Sequence, residues 1–197
     1  KFNDYFVQEG LAFRFTPFNY RVWGDAEGDN GYAVDIEKLY DNVMNRYKYG
    51  GLDTPGLYLD ETTLRTCYYH RRLFAQLAKE LIKQGDHVRA RKVLTYAEQA
   101  VPAYNVPEIY ESGSFDIATA YAALGEKTKA VTLFNHLIAE SEDYINWAFS
   151  LGNGRTGMMQ NDCLYKFWQW NAYNERMKEI DKESYEASNR RFEEKYA

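Results

Sequence analysis

The sequence has few of the residues that build disulfide-rich or metal-binding proteins. Its 197 residues include 2 cysteines, 3 histidines and 4 prolines. Two cysteines allow one disulfide at most, which is too few for a disulfide framework. We therefore expect Cys67 and Cys163 to be buried free thiols. A chain of this length buries a real hydrophobic core without such crosslinks and suits one domain, with or without an attached subdomain.

Long apolar runs and basic tracts are also missing. No run of about 18 apolar residues is present, so the sequence predicts no membrane span. Its 24 Lys and Arg residues against 29 Asp and Glu residues give a net charge of −5. This acidic balance argues against nucleic acid as the main partner. The chain begins with Lys1 instead of Met, which we interpret as an expressed fragment or a processed product, so the lack of a secretory leader in this sequence says little about where the parent protein resides.

Aromatic residues, by contrast, are abundant: 18 Tyr, 11 Phe and 4 Trp. Aromatic rings fill protein cores, and they also line binding surfaces, so composition leaves both roles open. The tryptophans, if they are exposed, are candidates to stack on sugar rings together with neighbouring tyrosines. The four are Trp23, Trp147, Trp168 and Trp170.

The first 57 residues contain the extended part of the chain. Residues 5–17 partly alternate apolar and polar side chains, which predicts a short hairpin around Glu9 and Gly10 that ends at Pro17. Residues 19–31 are rich in glycine and acid, which is typical of a surface loop. Helical spacing then runs from Ile36 to Tyr47, with Asp35 as its cap.

Helical periodicity dominates the rest of the sequence. Asp60 is a cap residue before a long periodic stretch through Gln84, which Gly85 and Asp86 interrupt. Later interruptions come at Pro102, Pro107 and the glycines that follow residue 151. The sequence also allows a break in the last helix near Asn171 or near Ser188. The predicted helices after the first are 61–84, 88–101, 111–124, 127–141, 143–151 and 158–192.

Two of the predicted hairpins resemble tetratricopeptide repeats, in which small residues let paired helices approach and large ones fill the space between them. The first carries Phe74, Leu77, Ala78, Leu81, Ala90, Leu94 and Pro102 at the repeat positions; the second carries Ile117, Ala118, Tyr121, Ala130 and Phe134. The turn glycines Gly85 and Gly125 are 125 − 85 = 40 residues apart, whereas the usual period is about 34. An ordinary helical bundle is the alternative.

The predicted fold is therefore mainly α, with tetratricopeptide-like helical hairpins and a small N-terminal extended or β segment. Residues 1–57 form the extended segment, the acidic loop and one helix that packs on the rest. Residues 58–197 form the tetratricopeptide-like domain with a C-terminal capping helix. If the second hairpin stacks on the first, a concave groove results.

The wall of that groove would combine basic and aromatic side chains. The candidate groove residues are Arg72, Lys79, Lys83, Phe115 and Thr119. Such a surface favours an acidic or extended peptide. The alternative is that these side chains belong to solvated helix faces.

No group of candidate catalytic, cofactor-binding or metal-binding residues has the sequence spacing that its chemistry requires. Asp25, Glu27, Asp29 and Asp35 suggest a calcium loop, but the glycine and glutamate that an EF-hand needs are misplaced. Cys67 and His70 share a helix face, yet a zinc site needs four ligands. We therefore predict that the chain has no catalytic, cofactor-binding or metal-binding residues.

Five segments resemble the soluble C-terminal region of a Bacteroidetes multi-spanning membrane-protein family of unknown function. They read FVQEGLAFR at 6–14, LYDNVMN at 39–45, YGG at 49–51, YLDE at 58–61 and LAKELI at 77–82. The membrane portion of that family is similar to protein O-mannosyltransferase-like glycosyltransferases that use polyprenyl-phosphate sugars. The likeness is strongest from about Phe6 to Leu151.

The resemblance implies an accessory role, because the catalytic acids of such transferases lie in loops between membrane spans. It implies a location on the extracytoplasmic, periplasmic side of the inner membrane, with membrane contact only through an absent upstream region. We therefore expect a noncatalytic protein-interaction or assembly module whose partner is a protein or peptide. The alternative is a carbohydrate-binding or carbohydrate-active domain that uses its exposed aromatic residues on a glycan.

Overall fold

The structure is a computed structural model that describes residues 2–20, 31–152 and 157–196. It is 71% helical, and its described residues form seven α-helices and one small N-terminal sheet. The prediction of a mainly α fold with a small N-terminal β segment is therefore confirmed. Within the described ranges, no helix is both long and apolar enough to cross a membrane. The chain forms two compact units, Lys1–Pro107 and Glu108–Ala197.

The first unit begins with a three-stranded sheet in the order β2-β1-β3. Strands β1 (Phe6–Gln8) and β2 (Phe13–Phe15) pair antiparallel, which confirms the hairpin predicted around Glu9 and Gly10. Strand β3 (Ala33–Val34) lies parallel to β1. Two residues are too few to show an alternating pattern, so the sequence did not predict β3.

A short helix follows the sheet. Helix α1 (Ile36–Asp41) begins at Asp35, whose carboxylate accepts a hydrogen bond from the Lys38 amide at 3.1 Å. The chain then continues directly into a π-helical turn at Asn42–Arg46. The predicted cap and the predicted helical region are therefore confirmed, although its last turn is wider than an α-helix.

The main hairpin of the first unit consists of α2 (Glu61–Lys83) and α3 (His87–Ala100). Asp60 begins α2 by accepting hydrogen bonds from the Thr62 and Thr63 amides at 2.9 and 3.1 Å. The apolar faces of the two helices form the core of this unit. The buried side chains that these two helices contribute include Phe74, Leu77, Ala78, Leu81, Ala90, Val93 and Leu94.

The segment that follows α3 is held by a buried cation on α2. The Arg71 guanidinium donates to the carbonyl oxygens of Val101, Val106 and Pro107 at 2.8, 2.6 and 2.7 Å. Carbonyl groups that would otherwise lack partners in the interior are thereby satisfied. Arg71 thus fixes the path of residues 101–107.

The second unit contains four helices: α4 (Ser114–Ala123), α5 (Lys127–Ser150), α6 (Gln160–Ile180) and α7 (Lys182–Tyr196). Helix α6 packs along α5, and α7 packs along α6. The core is formed by the side chains of Phe134, Leu137, Ile138, Ile145, Tyr173 and Met177.

Two predicted helix boundaries in this unit are wrong. Residues 127–141 and 143–151 form one continuous helix, α5, because no glycine or proline interrupts the backbone between them. The break in the last helix occurs at Asp181, and not at Asn171 or Ser188. The Asp181 side chain accepts hydrogen bonds from the Ser184 amide and hydroxyl, so it begins a new helix there.

The two hairpins turn in the same way. Gly85 and Gly125 have φ angles of 79° and 78°, in the left-handed region that favours glycine. In each turn the next amide bonds back five residues: Asp86 to the Leu81 carbonyl and Glu126 to the Tyr121 carbonyl, both at 2.9 Å. The predicted hairpins are therefore present. Their stacking as repeats and the division of the chain after residue 57 stay predictions.

Candidate functional site

The basic groove residues predicted from the sequence lie on one face of α2. Arg72, Lys79 and Lys83 are spaced seven and four residues apart, so they share a side of the helix. The Lys83 ammonium pairs with the Glu80 carboxylate at 2.7 Å. Gln76 lies on the same face and donates to the Gln8 side chain of β1 at 2.9 Å. In the first unit, the N-terminal sheet therefore contacts the face on which the groove was predicted.

The aromatic groove residue belongs largely to the packing of the second unit. The Phe115 ring lies 5.9 Å from the Phe134 ring and 5.7 Å from the Tyr173 ring. The Thr119 hydroxyl donates to the Phe115 carbonyl at 2.9 Å. The predicted groove needs side chains from both units and stays a prediction.

The tryptophans divide into buried and exposed side chains. Trp170 is only 7% exposed, stacks on Phe192 at 4.0 Å and donates from its indole to Glu142 at 3.2 Å. The prediction that Trp170 is an exposed stacking residue is therefore wrong, because it packs in the interior of the second unit. Trp147 and Trp168 are 48% and 51% exposed. Trp23 lies outside the described residues.

Trp168 belongs to an aromatic surface that we call the Trp168 platform, formed by Tyr110, Tyr165 and Trp168. The Tyr165 and Trp168 rings are nearly parallel, with 12° between their planes and 5.8 Å between their centres. The Tyr110 ring meets Trp168 edge to face at 5.4 Å. Tyr165 and Trp168 are one helical turn apart on α6, so both rings face the same side.

Polar groups lie beside this platform. The buried Gln169 amide donates to the Glu111 carboxylate at 3.2 Å, while its own oxygen has no partner among the described residues. The Tyr173 hydroxyl is also buried without a described partner. Burial raises the pKa of Tyr173, and the nearby Glu140 and Glu111 carboxylates raise it further. This hydroxyl therefore stays protonated and keeps its ability to donate.

A second aromatic surface lies on α5, and we call it the Trp147 pocket. It is a shallow space of about 400 Å³ that is open to solvent and lined by His136, Ala139, Glu140, Asp143, Tyr144 and Trp147. The Tyr144 and Trp147 rings lie 5.4 Å apart at 59°. Lys166 of α6 reaches the edge of this pocket, with its ammonium 2.9 Å from both Glu140 oxygens and 5.7 Å from the centre of the Tyr144 ring.

The first unit has a larger cleft beside the Gly50 and Gly51 turn. It encloses about 500 Å³ between this turn and α3, and Tyr47, Tyr49 and Tyr96 contribute to its wall. The Asn105 side chain donates to the Leu52 and Thr54 carbonyls at 2.7 and 2.6 Å, which fixes the turn. The cleft is open and mostly polar, and it lacks the paired exposed aromatic rings of the second unit.

The residues considered as metal ligands or as a nucleophile do not come together in one site among the described residues. Across residues 2–20, 31–152 and 157–196, no three His, Cys, Asp or Glu side chains converge in a way that could hold a metal ion. Asp25, Glu27 and Asp29 of the calcium candidate lie outside these ranges. Cys67 and Cys163 are buried free thiols, as expected. Burial raises the pKa of the Cys67 thiol, which favours the unreactive thiol over the thiolate, and burial lowers the pKa of His70, which favours its neutral imidazole.

Both exposed tryptophans were predicted from the sequence, but the tyrosines that pair with them were not. Tyr165 precedes Trp168 by three residues, and Tyr144 precedes Trp147 by three. On a helix this spacing brings two rings to one side, so the pairs had a signal in the sequence. Tyr110 had none, because it reaches the platform from a distant turn.

Comparison with protein families, with curated proteins and with solved structures finds no match to this chain.

Proposed function

We propose that this chain is a noncatalytic interaction module that binds a protein partner through the Trp168 platform. The observation that carries the proposal is the exposed, parallel pair of Tyr165 and Trp168 rings. Tryptophan and tyrosine are the side chains most enriched among residues that dominate protein interfaces. Their large rings bury much area for little loss of rotamer freedom.

The platform also has the local rigidity that an interface residue needs. Tyr110 supports the exposed pair from one side, and Tyr173 lies 6.3 Å from Tyr110 in the core below. Rings fixed before binding lose little conformational freedom on association, so more of the contact energy appears as affinity. The platform therefore resembles the centre of an interface.

The resemblance to the Bacteroidetes membrane-protein family supplies the context for this proposal. In that context the chain is the soluble, extracytoplasmic tail of a membrane-embedded glycosyltransferase-like protein, and its tetratricopeptide-like hairpins assemble that protein with a partner. The helical hairpins and the exposed rings are compatible with such a role.

A carbohydrate-binding function is the second candidate, and the surroundings of Trp168 favour it. Sugar rings stack their apolar faces on aromatic side chains while carboxylate and amide groups bind their hydroxyls. Glu111 is partly exposed and supplies a carboxylate next to the platform, whereas the Gln169 side chain that donates to it is buried. Trp147 and Trp168 keep this candidate open, whereas the buried Trp170 contributes nothing to it.

Partner capture by the purified chain tests the main proposal. The Tyr165→Ala, Trp168→Ala double variant should retain its helical circular dichroism spectrum and lose at least about tenfold in partner affinity. Tyr58→Ala, which removes an 88% exposed ring from the first unit, is the matched control and should bind as the wild type does. Full binding by the double variant would contradict the proposal.

Oligosaccharide titration separates the second candidate from the first. If the platform binds a glycan, the purified chain binds it without any protein, and both the double variant and Glu111→Gln weaken that binding. A module that binds no protein partner, and whose deletion leaves the parent protein fully active, would contradict the interaction role.

A further inference from the structure

We propose that the Trp147 pocket binds a lysine or arginine side chain of the protein partner. This inference rests on the proposed interaction function but concerns a different surface from the Trp168 platform. Three observations carry it: the paired aromatic rings, the carboxylates beside them and the position of Lys166.

The pocket combines the two groups that recognise an organic cation. Tyr144 and Trp147 present aromatic rings 5.4 Å apart, and the Trp147 ring is about half exposed. The Glu140 and Asp143 carboxylates lie along the same helix face and line the same space. A cation over an aromatic face is attracted by the ring quadrupole, and a neighbouring carboxylate adds a direct ionic attraction.

Lys166 already shows how one ammonium group fits this surface. Its Nζ atom bridges both oxygens of Glu140 and lies over the Tyr144 ring. Trp147 and Asp143 form the equivalent pair one turn away, with an aromatic ring and a carboxylate on the same helix face. Asp143 is exposed, and no basic side chain among the described residues lies within ion-pair distance of it. A cation from outside would therefore complete this second pair.

The charge around the pocket favours a cation over an acidic or neutral ligand. Its wall carries the Glu140 and Asp143 carboxylates, and Asp162 accepts a hydrogen bond from the Tyr144 hydroxyl at 3.3 Å. Against these three acids, Lys166 contributes one positive charge from the described residues that contact the pocket. An apolar side chain would desolvate these carboxylates without pairing them, and an acidic one would be repelled.

The test uses the full chain and two small probes that differ in the terminal ammonium group. N-acetyl-lysine-methylamide carries the cation, and N-acetyl-norleucine-methylamide has the same apolar stem without the charge. Binding is followed by NMR at the Trp147 indole N–H, which the Trp147→Phe variant assigns. We expect the lysine probe to shift this resonance in a saturable way and the norleucine probe to leave it unchanged.

Two variants decide whether the pocket is responsible. Asp143→Asn should weaken the lysine probe about tenfold, because it removes the ionic attraction and keeps the side-chain shape. Asp53→Asn, an exposed carboxylate of the first unit, is the control and should change nothing. Raising the salt concentration should weaken binding in the wild type.

The proposal is overturned by equal shifts from the two probes, by unchanged affinity in Asp143→Asn, or by no shift at a probe concentration of about 50 mM. These results concern only the Trp147 pocket. Loss of partner capture in the Tyr165→Ala, Trp168→Ala variant is measured separately, so failure of this inference is distinguishable from failure of the proposed function.

Discussion

Gly10 lies where a larger side chain would meet the Tyr47 hydroxyl. A Cβ atom on Gly10 would lie 1.9 Å from the Tyr47 Oη atom and 3.0 Å from its Cζ atom. Tyr47 cannot easily move away, since its hydroxyl accepts a hydrogen bond from the Leu11 amide at 3.0 Å. The absence of a side chain at residue 10 therefore lets the hairpin dock on this tyrosine.

We expect Gly10→Ala to lower the free energy of unfolding by about 1–3 kcal/mol, as overpacking of an interior contact does. Urea denaturation followed by circular dichroism measures this change. Gly157→Ala is the matched control, because a Cβ there would meet no heavy atom within 4 Å and its φ is not left-handed. Equal free energies of unfolding for the two variants would contradict this prediction, because they would show that the Tyr47 side chain moves aside without loss of stability.

Arg71 and Arg72 are adjacent arginines with opposite environments. Arg71 is buried and donates to three carbonyl groups, whereas Arg72 is exposed beside the Tyr69 ring. Arg71→Met leaves those carbonyls without their charged donor, so we expect a loss of about 3 kcal/mol or more in unfolding free energy. Arg72→Met should change it by less than about 0.5 kcal/mol. Similar denaturation midpoints for the two variants would contradict this account.

At the scale of elements, Asp181 sets the boundary between α6 and α7. The pKa of its carboxyl is lowered to about 2 by hydrogen bonds from the Lys127 ammonium and from Ser184. A carboxyl with a lowered folded-state pKa stabilises the fold above its unfolded-state pKa, which is near 3.9. That stabilisation is lost as the pH falls through about 2.

We therefore expect Asp181→Asn to be less stable than the wild type at neutral pH, with the difference shrinking between about pH 4 and pH 2. Thermal unfolding at a series of pH values measures it. Glu194→Gln, the same kind of change at an exposed position of α7, should follow the wild-type curve. A constant difference between Asp181→Asn and the wild type down to pH 2 would contradict the assignment.

Elements that depend on local chemistry were predictable from the sequence. The caps at Asp35 and Asp60 and the left-handed turns at Gly85 and Gly125 act through neighbouring backbone groups, which the sequence specifies directly. The boundary at Asp181 was missed although its cap is also local, since Ser184 three residues later donates to its carboxylate. Strand β3 was missed because its pairing with β1 is nonlocal.

The candidate site was less predictable than the fold for the same reason. A helical spacing of three residues indicates that Tyr165 and Trp168 share a side, but whether that side faces solvent depends on what packs there. Trp170 is only two residues further along α6, yet it is buried against Phe192 of α7. Exposure is a property of the packed unit, so composition alone left core and surface roles open.

At the scale of the whole molecule, the two compact units each have their own core. The interior of Lys1–Pro107 is built around α2 and α3, and that of Glu108–Ala197 around α5 and α6. Both ranges fall within the usual size of independently folding domains. We therefore expect residues 1–107 and 108–197, produced separately, to be helical and to unfold cooperatively on heating.

A cut inside a helix provides the control for this prediction. The fragments 1–139 and 140–197 divide α5, so α4 keeps only the first half of α5 and α6 only the second half, and the second unit should then fail to fold. The unfolding midpoints of the two intact units, compared with that of the full chain, also address the repeat hypothesis. Because stacked repeats stabilise their neighbours, in-register stacking would raise the midpoint of the full chain above both units. Noncooperative unfolding of either intact unit would show that its core is insufficient alone.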